Sequence, residues 1–141
     1  MADKPSSMDK ILEHMEFLGF DIEDIGKEKG SLFVARRDGG ATYLLSFGGD
    51  TLIVTSRWSG FNPKALGSKD FFNAINEVNR NAVSKWFYEE SEDEDGSKEV
   101  TIVLEADYYS YDKKTFGAFI ESLERDIQAN LNTFATFYNE K

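Results

Sequence analysis

The sequence predicts a single-domain α+β fold in the order helix, antiparallel meander, helix, β-hairpin, helix. Two patterns predict it. In three segments apolar residues recur every three or four positions, which is the period of an amphipathic helix. Between those segments, short runs alternate apolar with polar residues and are separated by glycine, which is typical of antiparallel strands. A length of 141 residues favours one domain over 1–141, within which residues 1–6 are expected to be disordered.

The helical period marks the two ends and the middle of the chain. The predicted helices cover residues 8–18, 71–82 and 116–134. Ser6 with Asp9 forms a candidate capping pair for the first helix, and Gly19 suits its end. Ser68 is the expected cap of the second helix. The third helix carries the longest apolar stripe, which predicts that it packs against the sheet.

The strands follow from alternation between turn signals. The predicted strands cover residues 20–25, 31–37, 41–47, 51–58, 84–90 and 98–107. Glycine pairs at 39–40 and 48–49 indicate hairpins, because such turns need positive φ angles that glycine adopts without steric cost. Asp95-Gly96 predicts the turn of the last hairpin, and residues 60–67 are interpreted as a connection.

Charge and composition exclude several classes of function. The formal net charge of −10 repels phosphate backbones, so nucleic acid is not an expected partner. The chain has no cysteine, which fits a reducing compartment and rules out cysteine-ligated zinc. No stretch approaches the roughly 20 apolar residues that a membrane-spanning helix needs. We therefore expect a cytoplasmic protein with no membrane contact.

The acidic run in residues 89–99 raises the question of calcium, which takes oxygen ligands. The spacing disagrees with a calcium loop. If Gly96 is placed at the sixth position, Ser91 falls at the first and Ile102 at the twelfth, where carboxylates are needed. The sequence thus predicts no metal site and no cofactor, and the run is interpreted as a solvated hairpin tip.

His14 and the pair Glu105 and Asp107 are the remaining candidates for catalytic chemistry. His14 is the only histidine and lies at the edge of the first apolar stripe, which favours a boundary position over a catalytic base. Glu105 and Asp107 are two positions apart on one predicted strand and share a face. Neighbouring carboxylates do acid–base chemistry when a pocket encloses both, and otherwise are solvated.

One face of the predicted sheet is uniformly apolar, and the other is mixed. Leu44, Ile53 and Val103 fall on the mixed face, with Arg57 beside them. A mixed apolar and polar surface is common at protein interfaces, so these four residues are the candidate partner-binding site. The alternative is that part of the protein itself covers this face.

The chain contains the segments TYLLSF, LIVTSRW, INEVNRN, KWFYEE, SEDEDGSK and TIVLEAD. In this combination they resemble the YbjN-type family, whose members are described as bacterial sensory transduction regulators. The resemblance spans about residues 42–134 and implies a small α+β domain similar in fold to type III secretion chaperones. It implies a role in regulation or protein interaction and supplies no catalytic residues. Family members often carry glycines where this chain has residues 108–111, YYSY.

The function predicted from the sequence is a non-enzymatic protein-interaction module, acting as a regulator, adaptor or chaperone-like protein. Its partner is another protein, and a homodimer is possible. The alternative is a small enzyme that uses the paired carboxylates Glu105 and Asp107.

Overall fold

The structure is a computed structural model that describes residues 7–26, 32–48 and 51–137. Its elements, in chain order, are α1 Ser7–Phe17, β1 Asp21–Asp24, β2 Leu32–Arg36, β3 Tyr43–Gly48, β4 Thr51–Phe61, a 3-10 helix Pro63–Gly67, α2 Lys69–Asn81, β5 Lys85–Glu92, β6 Lys98–Tyr109, α3 Lys113–Asn130 and a second 3-10 helix Leu131–Phe137. The predicted α+β class and the order of helices and strands are confirmed.

The six strands form a sheet in the order β1-β2-β3-β4-β6-β5. Contacts between residues divide the chain into two units. The first comprises Met1–Ser56 with Ala106–Ser122, and the second comprises Arg57–Glu105 with Leu123–Lys141. The prediction of one domain over 1–141 stays a prediction, and residues 1–6, including Ser6 of the expected capping pair, lie outside the described residues.

The first unit contains the antiparallel meander. Its core is formed by buried side chains of alternate strand positions and of α1: Ile11, Met15, Phe33, Ala35, Tyr43, Leu45, Leu52 and Val54. Gly19 ends α1 with a φ of 97°, a value that glycine adopts freely. The chain then turns so that the ring of Phe20 lies 5.9 Å from the ring of Tyr43. Helix and sheet are thus joined by aromatic contact as well as by burial.

The core of the second unit is built around Trp86. Its ring stacks on Trp58 at 5.6 Å, with 7° between the planes, and on Phe134 at 6.1 Å. Helix α2 begins at the predicted cap, where the side chain of Ser68 accepts a hydrogen bond from the backbone nitrogen of Asp70 at 3.2 Å. The helix buries Phe71 and two further residues of its apolar stripe. Three large aromatic rings therefore supply much of this core.

The clearest differences from the sequence prediction are at the ends of β4 and α3. Strand β4 continues past Trp58 to Phe61, because Gly60 takes a φ of 94° within the strand instead of ending it. The predicted connection then contains a 3-10 helix, which Asn62 caps by accepting a hydrogen bond from the backbone nitrogen of Lys64 at 3.0 Å. At the other end of the chain, the α-helix stops at Asn130 and continues as the 3-10 helix that buries Phe134.

Candidate protein-binding sheet face

Four aliphatic side chains of the first unit share one face of the meander. In the strand register Val34 lies opposite Leu44, and Ser46 lies between Leu32 and Ile53 on neighbouring strands. Opposed residues of antiparallel strands point to the same face, so these side chains form one surface. We call Leu32, Val34, Leu44 and Ile53 the aliphatic patch.

The patch differs in burial from the opposite face of the same strands. Tyr43, Leu45, Leu52 and Val54 on that face are 0% exposed. In the patch, Leu32, Val34 and Leu44 are half-buried, and Ile53 is 37% exposed. The structure therefore places Leu44 and Ile53 where the sequence predicted a mixed, accessible face.

Charged residues border the patch on β1 and β2. Glu23 lies opposite Val34 in the register, and its Oε2 pairs with Nη1 of Arg36 at 3.3 Å. Both side chains are largely exposed, so the pair contributes at most about 1 kcal/mol to stability. An apolar centre with a polar rim is the usual arrangement of a protein-binding surface.

The other two residues of the predicted site lie in the second unit. Arg57 is exposed, and its Nη2 pairs with Oε1 of Glu89 at 3.0 Å. Val103 is 0% exposed and lies opposite the half-buried Phe87 in the β5–β6 register. The assignment of Val103 to an accessible binding surface is wrong. Strand alternation gives the face to which a side chain points but not whether neighbouring side chains cover it.

The two carboxylates considered for catalysis have different surroundings. Oε2 of Glu105 pairs with Nζ of Lys85 at 3.3 Å, and the two residues lie opposite each other in the register. Asp107 is exposed. Among the described residues, no group of three or more His, Asp or Glu side chains is placed to hold a metal ion.

His14 lies at the boundary of the first unit's core, as predicted. It is half-buried, and its Nδ1 is 2.8 Å from the hydroxyl of Tyr111. Its ring also lies 5.1 Å from the ring of Phe116. Burial raises the pKa of Tyr111 above its ordinary value of 10.0, and the negative charges of Tyr108, Glu13 and Asp112 raise it further.

Sequence reasoning missed two polar residues that organise the second unit. The side-chain amide of Asn79 pairs with the backbone of Trp86: Nδ2 donates to the carbonyl oxygen and Oδ1 accepts from the nitrogen, each at 2.7 Å. No pattern in the sequence marks this contact, because α2 carries four asparagines, all exposed, and the spacing of Asn79 does not set it apart from the other three.

The second missed residue is Asp126, which is buried within α3. Its Oδ2 accepts hydrogen bonds from the backbone nitrogens of Val83 and Ser84, at 3.0 and 2.9 Å, and from Oγ of Ser84 at 2.6 Å. Oγ of Ser84 in turn accepts from Nε1 of Trp86 at 3.1 Å. The sequence did hold a signal, since Asp126 lies three positions after Leu123 and therefore beside the apolar stripe.

None of the described helices combines the length and apolar character needed to cross a membrane.

Comparison with known proteins gives neither a matching family model nor a matching curated protein. Solved structures with a similar fold include the two that follow. One is the crystal structure of YbjN from E. coli, described as a proposed transcription regulator, with a TM-score of 0.58 and 11% identity over 88% of this chain and 87% of that chain.

The other is the crystal structure of an uncharacterized protein from Methanothermobacter thermautotrophicus. It matches with a TM-score of 0.63 and 8% identity, over 94% of this chain and 99% of that chain. Both likenesses are in fold and not in sequence, and they agree with the resemblance of the strand and helix segments described above. The chain therefore has a YbjN-like α+β fold.

Proposed function

We propose that this protein is a non-enzymatic regulator that binds another protein through the aliphatic patch. The observation that carries the proposal is the exposure of Ile53 on β4, an interior strand of the sheet, beside three further aliphatic side chains. When one face of a sheet is solvated, the strand residues that point to that face are normally polar. The fold likeness to a protein described as a proposed transcription regulator supports the regulatory part of the proposal.

Charge favours a partner other than a second copy of this chain. Each copy carries a formal net charge of −10, so two copies repel each other as they approach. A neutral or basic protein avoids that repulsion, and a basic one gains in association rate. We therefore propose a neutral or basic protein partner that covers the patch with apolar side chains.

Binding of a partner at the aliphatic patch would be driven by the burial of apolar surface. Each Å² of apolar surface removed from water contributes about 25 cal/mol, from which the entropic cost of association must be subtracted. A charge introduced at the centre of the patch removes this gain and adds a desolvation cost. Binding should therefore be sensitive to a single substitution at Ile53.

The test compares Ile53→Lys with Ser91→Lys, which adds a lysine at an exposed strand position outside the patch. Full-length tagged protein and both variants are used to capture partners from the source cell, and captured proteins are identified by mass spectrometry. We expect Ile53→Lys alone to lose a protein that the unmodified chain and Ser91→Lys retain. Circular dichroism checks that each variant is folded.

Sedimentation of the purified chain separates the two kinds of partner. A monomer that captures a second protein through Ile53 supports the proposal, whereas a dimer that Ile53→Lys dissociates would show that the patch binds a second copy. Equal capture by all three proteins, with unchanged mass, would contradict a role for the patch. Location in the cytoplasm, and the choice between regulator and secretion chaperone, stay predictions.

A further inference from the structure

A cleft in the first unit is separate from the aliphatic patch. It has a cavity volume of about 590 Å³ and is lined by Lys10, Glu13, His14, Phe17, Tyr111 and Lys113. Four of these residues recur at three- and four-residue spacing on α1 and so share one helix face. The other two belong to the connection between β6 and α3 and to the first turn of α3. The volume falls within the usual range for small-molecule sites.

Aromatic rings form the apolar wall of this cleft. Phe17 is 85% exposed, the most exposed of the large apolar side chains described, and its ring lies edge-on to His14 at 6.3 Å. The ring of Tyr111 also lies edge-on to His14, at 5.8 Å. The hydrogen bond between His14 and Tyr111 fixes both rings in place. A flat apolar group can therefore find aromatic surface here without rearrangement of the fold.

The charges of the cleft oppose those of the whole chain. Two lysines and one glutamate line it, whereas the chain carries a net charge of −10. Neither Lys10 nor Lys113 forms an ion pair with another residue of the part of the chain that the structure describes. Both ammonium groups thus remain available to a ligand, and Glu13 disfavours one that carries more than a single negative charge.

We propose that this cleft binds a small aromatic monocarboxylate. Its ring contacts Phe17 and Tyr111, and its carboxylate pairs with Lys10 and Lys113. The neutral phenol of Tyr111 offers a hydrogen-bonding group to a polar substituent on the ring. Binding would tie α1 to the start of α3, so the ligand would stabilise the first unit.

The test titrates the full-length ¹⁵N-labelled protein with 4-hydroxyphenylacetate and follows amide shifts by NMR. We expect saturable shifts at α1 and at residues 111–113, with a Kd on the order of 1 mM. The neutral 4-hydroxyphenylacetamide and the aliphatic anion acetate are each expected to bind about three- to fivefold more weakly, since each lacks one of the two contacts. Equal affinity for the acid and the amide would overturn the proposal, as would the absence of saturable shifts.

Variants test the assignment of residues. Lys10→Gln and Lys113→Gln should each weaken binding of 4-hydroxyphenylacetate about three- to fivefold, whereas the neighbouring Lys114→Gln, outside the cleft, should leave it unchanged. Phe17→Ser should weaken binding with no loss of fold, because the ring is exposed. An effect of Lys114→Gln equal to that of Lys113→Gln, or full affinity in Phe17→Ser, would contradict the proposed site.

Discussion

The side-chain amide of Asn79 forms two hydrogen bonds with the backbone of Trp86, and thereby joins the last turns of α2 to the start of β5. One amide satisfies both backbone groups of a residue whose ring stands at the centre of the second unit's core. Asn79→Ala leaves those groups without their partner. We expect a loss of about 1–2 kcal/mol in the free energy of unfolding, because each hydrogen bond contributes about 0.5–1.5 kcal/mol.

The measurement is urea unfolding followed by tryptophan fluorescence. Asn76→Ala is the matched control, since Asn76 is exposed on the same helix and no described hydrogen bond of its side chain is broken. Equal losses in the two variants would show that the amide contributes only through helix propensity.

Removal of the Asp126 carboxylate should lower the free energy of unfolding more than removal of the Asn79 amide. Asp126→Ala removes the acceptor of three hydrogen bonds and leaves the amides of Val83 and Ser84 without it, so we expect a loss of about 2–4 kcal/mol. Asp126→Asn keeps one acceptor oxygen and should lose less. Denaturant melts of both variants, beside the exposed Glu121→Ala on the same helix, check this order. A neutral Asp126→Ala would contradict the role assigned to the carboxylate.

Leu123 tests the packing of α3. Its side chain is 1% exposed, so Leu123→Ala should cost about 2–5 kcal/mol through lost burial and the cavity that remains. Ile127 is half-buried and should give a smaller loss when it is truncated. If Leu123→Ala melted like the unmodified chain, α3 would not be part of the core, and a detachable partner-binding arm would be the better interpretation.

The acidic hairpin tip should be dispensable for stability. Residues 91–98 are all exposed, and the turn is held by local hydrogen bonds such as that from the backbone nitrogen of Ser97 to Asp95, which also lowers the pKa of Asp95. Replacing residues 92–95 with Asn-Gly should shift the melting temperature by only a few degrees. Calorimetry measures the shift. A saturable calcium-induced change in amide NMR signals of the unmodified chain would instead identify a metal site.

We expect ionisation of Tyr111 to lower the stability of the chain at alkaline pH. Because its pKa is raised in the folded state, the neutral phenol is favoured there, and its contribution is fully present below the unfolded pKa of about 10. That contribution is lost as the pH rises through the folded pKa. Tyr111→Phe should therefore lose less stability than the unmodified chain between neutral and alkaline pH, as measured by urea unfolding. Tyr109→Phe, at an exposed tyrosine, is the matched control.

The predictable parts of the fold are the elements that a regular spacing of apolar residues or a local turn sequence marks. The apolar stripe that contains Leu123 identified the last helix, and the Asp95-Gly96 turn identified the hairpin. Gly60 misled the prediction of β4, because glycine more often ends a strand than continues through it. A glycine in the sequence therefore does not show whether the strand ends there or continues.

The candidate site was predictable only in part, for a related reason. Alternation correctly assigned Leu44 and Ile53 to an accessible face, but no local pattern indicates that Val103 is buried. The contacts of Asn79 and Asp126 join side chains to backbone groups far along the chain or across a turn. Such pairs follow from the assembled structure and not from residue spacing.

The position of Asn79 also bears on aggregation. Strand β5 is the last in the sheet order, and an edge strand exposes backbone groups that can recruit a strand from another molecule. The amide of Asn79 occupies that hydrogen-bonding position at Trp86, and Glu90 and Glu92 place negative charge farther along the same strand. Loss of the amide would therefore leave the backbone nitrogen and carbonyl oxygen of Trp86 open to pairing with a strand of another molecule, next to the aromatic core.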